Sequence, residues 1–190
     1  MPKFDKSSAY SLAKEKLIKS GCSEDNTHGI IEGILDAEFS GIKSHGFHYL
    51  PIYCNHLKIG KIKGKAAPSY EKISNSAIKV NADNGFAHSA INIGLPLFFE
   101  MCAKEAISCM SVYNSYNCGV LGFHTKRIAE KGFIGLGFTN APASIAPLGG
   151  VKPVVGTNPF SLAVPFDGRA EIIIDQSASV VAKSEISVRA

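Results

Sequence analysis

Ser44-His45-Gly46 sets an imidazole between a hydroxyl and a glycine. Imidazole titrates near neutrality, so His45 can exchange a proton with a reacting oxygen, and Ser44 can donate to that same oxygen. Gly46 leaves room for a ligand to approach the backbone. The bland reading of His45 is a solvated polar residue in a turn between helices. Further along, Gly156-Thr157-Asn158-Pro159 reads either as a ligand-facing loop or as a simple turn. Glu171-Ile172-Ile173-Ile174-Asp175-Gln176-Ser177 is an apolar run that ends on a carboxylate. A carboxylate there tends to be buried and needs donors, and with Ser177 and Ser179 the stretch could hold a ribose or an amide. Asn114-Ser115-Tyr116-Asn117-Cys118-Gly119 follows a strand, where polar side chains either bind a ligand or satisfy their own backbone in an Asx-type turn.

Other chemistries find less support. His45, His48 and His56 could converge on a metal, but no carboxylate or cysteine lies at a natural ligand spacing, so no metal site is expected. There is no Gly-x-Ser-x-Gly elbow. Gly132, Gly135 and Gly137 suggest a dinucleotide fingerprint, yet position 140 is Asn140 and the glycines fall in a predicted strand rather than opening a helix. Lys58, Lys61, Lys63 and Lys65 read as a solvated connector rather than a nucleic-acid patch, since no aromatic residues accompany them. Arginine is confined to Arg127, Arg169 and Arg189. Any carboxylate bound by the first 126 residues must therefore do without a guanidinium fork from that segment.

The elements that must position these residues can be read from periodicity. A first helix, with Ser7 and Ser8 as candidate caps, carries Leu12, Ala13, Leu17 and Ile18 and stops at Gly21. Ser23-Glu24-Asp25 opens a second, with Ile30, Ile31, Ile34, Leu35 and Phe39 at helical spacing and Gly41 beyond. A third runs from Leu50-Pro51 to about Leu57, leaving His45 in the intervening turn. Short strands are expected at 70–73 and 77–80, a long apolar helix at 87–107, a strand at 108–113 and a helix at 125–131. Strands follow at 133–139, 160–164 and 171–175, and the Pro- and Gly-rich stretch 141–158 forms a long loop of the kind that is usually functional. Two domains are expected: 1–68, the helical unit, and 69–190, an α+β unit.

With 190 residues, 45% hydrophobic and 19% charged, the chain has the composition of an ordinary globular protein. No apolar run approaches the ~18 residues of a membrane span, and no signal sequence opens the chain. Five cysteines, never spaced as Cys-x-x-Cys, read as reduced thiols in a cytoplasmic protein.

Taken in order, these signatures resemble the type-2 malate/L-lactate dehydrogenase family along nearly all of the chain. That family includes ureidoglycolate and sulfolactate dehydrogenases, diketogulonate reductase and piperideine-2-carboxylate reductase. Gly41-Ile42-Lys43-Ser44-His45-Gly46 matches its catalytic segment, which implies His45 as proton donor and Ser44 as a substrate-site residue. Leu50-Pro51-Ile52-Tyr53, Asp83-Asn84-Gly85-Phe86 and Asn114-Ser115 match further landmarks. The resemblance implies NAD or NADP bound by Gly156, Thr157, Asn158 and the segment Glu171, Ile172, Ile173, Ile174, Asp175, Gln176, Ser177, on a mostly antiparallel, non-Rossmann sheet. It implies interconversion of a small 2-hydroxy acid and 2-keto acid, or reduction of a cyclic imino acid. A homodimer with active sites at subunit contacts is expected, with no metal, nucleic acid or membrane partner; a non-catalytic homologue is the reading from another class.

Two substrate-binding positions depart from the family. Where many members carry an arginine, this chain has Tyr49; where many carry a histidine, it has Asn117. Both keep hydrogen-bonding capacity and lose positive charge, which bears on the substrate more than on the reaction. The family's members continue into a glycine-rich segment and a returning helix. The chain is therefore expected to be truncated inside the helix after Ser179, with Ile172-Ile173-Ile174 as an unpaired apolar edge and poor solubility when expressed alone.

Overall fold

The computed structural model describes residues 5–179. They fall into two compact units, one ending at Gly119 and the other beginning at Val120.

In the first unit, α1 (Lys6–Lys19) is capped by Asp5, whose carboxylate accepts from the Ser8 N–H at 2.9 Å and the Ser8 hydroxyl at 2.8 Å. Ser7 and Ser8, the expected caps, are inside the helix, because an aspartate two residues upstream captures the first-turn donor instead. Ala9, Ala13 and Leu17 are buried, whereas Ile18 is exposed. Gly21 terminates the helix at φ +101°, a conformation costly for any other residue. Then α2 (Glu24–Phe39) follows Ser23 and carries Glu24 and Asp25 in its first turn. Ile30, Ile31, Ile34 and Leu35 face the core with Leu17, Tyr53, Leu57, Ile62 and Phe86, while Phe39 is exposed. Helix α3 (Leu50–Lys58) has proline in its first turn, as expected. Two 3-10 turns, Lys43–His45 and Phe47–Tyr49, bridge α2 to α3. Buried Asn26 ties the chain after α3 to α2, donating to the Ala66 carbonyl at 2.9 Å.

Strands β1 (Ser69–Lys72) and β2 (Ala77–Asn81) pair antiparallel, and β3 (Cys109–Tyr113) joins β2 in parallel, Val80 opposite Val112. A parallel pair needs a crossover, which α4 (Ala87–Cys102) supplies. It ends at Cys102, short of the expected 107, because the residues that follow must turn back to start β3, where the Cys109 N–H reaches the Ser76 carbonyl at 2.7 Å. An α4 side chain at Gly94 would sit 2.7 Å from the Met110 sulfur, so glycine there lets the helix close on the sheet.

The second unit packs α5 (Leu121–Ala129) on an antiparallel sheet of β4 (Gly135–Phe138), β5 (Phe160–Phe166) and β6 (Arg169–Gln176). Helix α5 begins four residues before the expected Thr125. Its N-terminus is held by Asp175, which accepts the Gly122 N–H at 2.7 Å, a cap supplied from a distant strand and so invisible locally. Gly135 and Gly137 serve packing: a Cβ at either would lie within 3 Å of Thr125 atoms. Thr125 and Ser161 form a buried hydroxyl pair at 2.6 Å between helix and sheet. The β5–β6 hairpin closes on Asp167-Gly168, both at positive φ (49° and 72°), as a primed turn requires. The loop expected at 141–158 contains a small ladder between Ile145 and Val155.

The architecture is α+β, with three of four strand pairings antiparallel. Among the described residues β6 is a sheet edge, and Ile172, Ile173 and Ile174 are 51%, 43% and 42% exposed. The helix expected after Ser179 lies outside the described residues. No helix among them is long and apolar enough to cross a membrane.

Candidate active site

In the first unit the 3-10 turn puts Ser44 Oγ 3.1 Å from His45 Nδ1. One turn on, the Tyr49 ring stacks on the His45 ring at 6.0 Å between centroids and 7° between planes. The candidate site therefore starts from an imidazole with an offset, nearly parallel tyrosine ring beside it and a hydroxyl on one ring nitrogen. The room at Gly46 is taken by Glu38 of α2. Its carboxylate accepts the Phe47 N–H at 3.0 Å and lies where a Gly46 side chain would be.

Asn117 reaches the same place from far along the chain. The turn Asp83-Asn84-Gly85, with Asp83 and Asn84 at φ 52° and 59°, receives it. Asn84 N–H donates to the Asn114 carbonyl at 2.7 Å, and Tyr116 N–H donates to the Gly85 carbonyl at 2.8 Å. Lys63 braces that turn through a 2.6 Å ion pair with Asp83, which gives one lysine of the connector a structural task. Asn117 Nδ2 is then 3.5 Å from the Tyr49 hydroxyl, and the Tyr53 hydroxyl donates to Asn117 Oδ1 at 3.0 Å. Tyr49 and Tyr53 meet edge to face at 4.9 Å.

Behind this wall the Tyr116 hydroxyl is 2.5 Å from His56 Nδ1. Burial, then the neighbouring Tyr49 and Tyr116, holds the Tyr53 phenol well above its ordinary range; burial and Tyr49 do the same for Tyr116. Burial, aided by Lys61, pushes the His56 imidazole below its usual value. Four residues singled out from sequence, Ser44, His45, Tyr49 and Asn117, are thus brought together. Tyr53, Tyr116 and His56 were missed as network members; the i, i+4 step from Tyr49 to Tyr53 on a helix was the available signal. No group of three or more metal-ligating side chains is gathered among the described residues.

In the second unit, Gly156 packs against the 141 segment, where an added Cβ would meet the Ala141 carbonyl oxygen at 2.0 Å. Asn158, at φ 32°, accepts the Ala141 N–H at 2.9 Å, and the Thr157 carbonyl accepts the Ala178 N–H at 2.8 Å. The motif therefore knots three segments together. Ser177 Oγ pairs with Ser179 Oγ at 2.9 Å, and Asp175 caps α5. Glu171, Ile172, Ile173, Ile174 and Gln176 lie along β6 and are exposed.

The model of the malate/L-lactate dehydrogenase family matches residues 4–190. The chain belongs to that family. Family relatives include a (2R)-3-sulfolactate dehydrogenase (NADP(+)) of Chromohalobacter salexigens, 34% identical over 94% of this chain and 53% of its own length. A Delta(1)-pyrroline-2-carboxylate reductase of Burkholderia multivorans is 29% identical over 95% of this chain and 53% of its own length. Among solved structures, the delta1-piperideine-2-carboxylate reductase from Pseudomonas syringae superposes with a TM-score of 0.94 at 25% identity, covering all of this chain and 57% of that one. The chain spans about half the length of the curated relatives it matches.

Proposed function

We propose that the protein is an NAD(P)-dependent oxidoreductase of small 2-hydroxy and 2-keto acids. The observation that carries this reading is the Ser44–His45–Tyr49–Asn117 cluster in a chain of this family. A relative named for NADP(+) supports the cofactor class. The residues of the second unit fit such a group along β6. Its exposed isoleucines suit the face of a flat heteroaromatic ring, and the Gln176 side chain suits a carboxamide. When bound, that group takes or supplies the hydride at the substrate's C2. Thr157, Gln176 and Ser177 would hold it, while Gly156 and Asn158 keep the loop in place. Ser44, donating to His45 Nδ1, would favour the tautomer with the proton on Nε2, from which His45 protonates the developing alkoxide. Tyr49 keeps the ring from turning.

Reduction of a cyclic imino acid is the second reading. It is favoured by the pyrroline-2-carboxylate reductase relative and by the piperideine-2-carboxylate reductase superposition, and the same histidine would serve a C=N substrate by giving its proton to the nitrogen. The full-length protein would work as a cytoplasmic homodimer. His45→Ala in the full-length protein is expected to abolish turnover while NADH or NADPH binding, followed by fluorescence, stays near the wild-type level. Turnover within threefold of wild type would overturn the assignment.

A further inference from the structure

His45 and Tyr49 sit in two separate 3-10 turns that meet at Gly46. The Gly46 N–H closes the first turn on the Lys43 carbonyl at 3.2 Å, and the Gly46 carbonyl opens the second by accepting the Tyr49 N–H at 3.0 Å. Between them the chain leaves the helical path, with Gly46 at φ −82° and ψ −144°. How the two rings face each other therefore depends on what fixes the Gly46–Phe47 peptide. Phe47 and Tyr49 pack against the core, whereas none of Lys43, Ser44 and His45 is buried. The first turn has to be held by its ends.

Both ends are tied to the last turn of α2. Before the turn, the Ile42 N–H donates to the Ala37 carbonyl at 2.8 Å. After it, the Glu38 carboxylate accepts the Phe47 N–H at 3.0 Å. That N–H begins a helical turn and has no carbonyl within the turn to bond. The carboxylate also fills the space beside the Gly46 α-carbon: a Cβ there would collide with Glu38 Oε2, and Glu38 Cα would lie only 3.5 Å away. Ala37, next to Glu38, is fully buried, so this side chain projects from a fixed base.

We infer that Glu38 is a positioning residue for the reaction, fixing the Gly46–Phe47 peptide so that His45 and Ser44 are held where the proton is passed. This rests on the oxidoreductase reading above. Glu38 acts through the backbone, and its acceptor is what matters: a carboxylate binds a backbone N–H about twice as strongly as a neutral oxygen does, and an amide oxygen in the same place keeps part of that hold.

The test is single-turnover oxidation of NADH or NADPH by the full-length protein, which reports the chemical step apart from product release. The substrate is whichever of pyruvate, oxaloacetate, sulfopyruvate and a cyclic imine carboxylate reacts fastest. Glu38→Ala should slow this step about tenfold, because a small misplacement of a reacting group is enough to cost that much. Cofactor affinity, followed by fluorescence, should stay at the wild-type level. Glu38→Gln, which keeps an acceptor, should restore most of the rate. Gly46→Ala, which expels the carboxylate, should be about as slow as Glu38→Ala, and the double variant should be no slower than either. A loss of folded protein would lower the amplitude and leave the rate constant alone. A Glu38→Ala rate within twofold of wild type, a Glu38→Gln as slow as Glu38→Ala, or additive effects in the double variant each overturns the inference and leaves the oxidoreductase reading intact. No turnover by the wild type on any of the four substrates overturns that reading and this inference together.

Discussion

Replacing Gly156 by alanine tests whether the Gly-Thr-Asn-Pro turn is held by its own chain. The backbone angles at Gly156 are ones alanine can adopt, so the substitution alone would gain about 0.4–1 kcal/mol from a less flexible unfolded chain. The space decides otherwise. The new Cβ would lie 2.0 Å from the Ala141 carbonyl oxygen, 2.7 Å from its carbon and 2.6 Å from Asn158 Oδ1. Two of those three atoms are backbone and cannot swing away, so the 141 segment must move. Overpacking of this kind costs about 1–3 kcal/mol. The shift also breaks the 2.9 Å bond from the Ala141 N–H to Asn158, worth about 0.5–1.5 kcal/mol. The net expectation is a loss of about 1.5–3 kcal/mol. In urea titrations with an m-value of about 2 kcal/mol/M, that lowers the midpoint by roughly 1 M. Asn158→Gly, which removes only the acceptor and tolerates the positive φ, should cost less. Gly46→Ala is the contrast: its Cβ meets the far end of the flexible Glu38 side chain, and the cost should be about one lost hydrogen bond, near 1 kcal/mol. A Gly156→Ala midpoint unchanged from wild type, or less affected than Asn158→Gly, would refute the packing argument.

Thr125→Val keeps the shape but leaves the fully buried Ser161 hydroxyl without its 2.6 Å partner; a loss of about 1–3 kcal/mol is expected, and Thr125→Val with Ser161→Ala should recover part of it in the same titration. Asp175→Ala should cost about 0.5–2 kcal/mol by removing the acceptor at the start of α5, read as a lowered melting temperature. His56 sets a pH dependence. Its folded pKa lies below 6.5, so the unfolded chain binds the proton first as pH falls. Stability from this group is full above pH 6.5 and declines below it, and His56→Phe should flatten that part of a midpoint-against-pH curve.

The helical part of the first unit was legible because its signals are local. Ser23 with Glu24 and Asp25, the buried isoleucines of α2, Pro51 in α3 and Gly21 at positive φ all act within a turn or two of themselves. Where a distant partner decides, the sequence pattern misplaced boundaries: α5 starts early because Asp175 caps it, and α4 stops early because β3 must pair beside β2. Asp167-Gly168 is a strong hairpin signal in its own right, and it lengthens β5 and β6 beyond their apolar cores. The site divided along the same line. Ser44, His45 and Tyr49 meet through one short stretch of chain, whereas the bond between Asn117 and Tyr53 joins residues 64 apart and depends on the Asp83-Asn84-Gly85 turn. The resemblance marked that turn as a landmark without saying what it holds.

The parallel pairing of β2 with β3 gives the first unit an assembly order. Helices α1 to α3 are stitched by short-range contacts and can form early, but the β2–α4–β3 crossover must close a long stretch of chain before any pairing repays the entropy. The turn that receives residues 114–116 is complete only after that closure. His45 and Tyr49 are thus set in the fast-forming part, and Asn117 arrives with the slow one. A refolding experiment followed at separate tyrosines should see the environment of Tyr116 develop later than that of Tyr10, with the rate of crossover closure deciding when Asn117 joins Tyr49 and Tyr53.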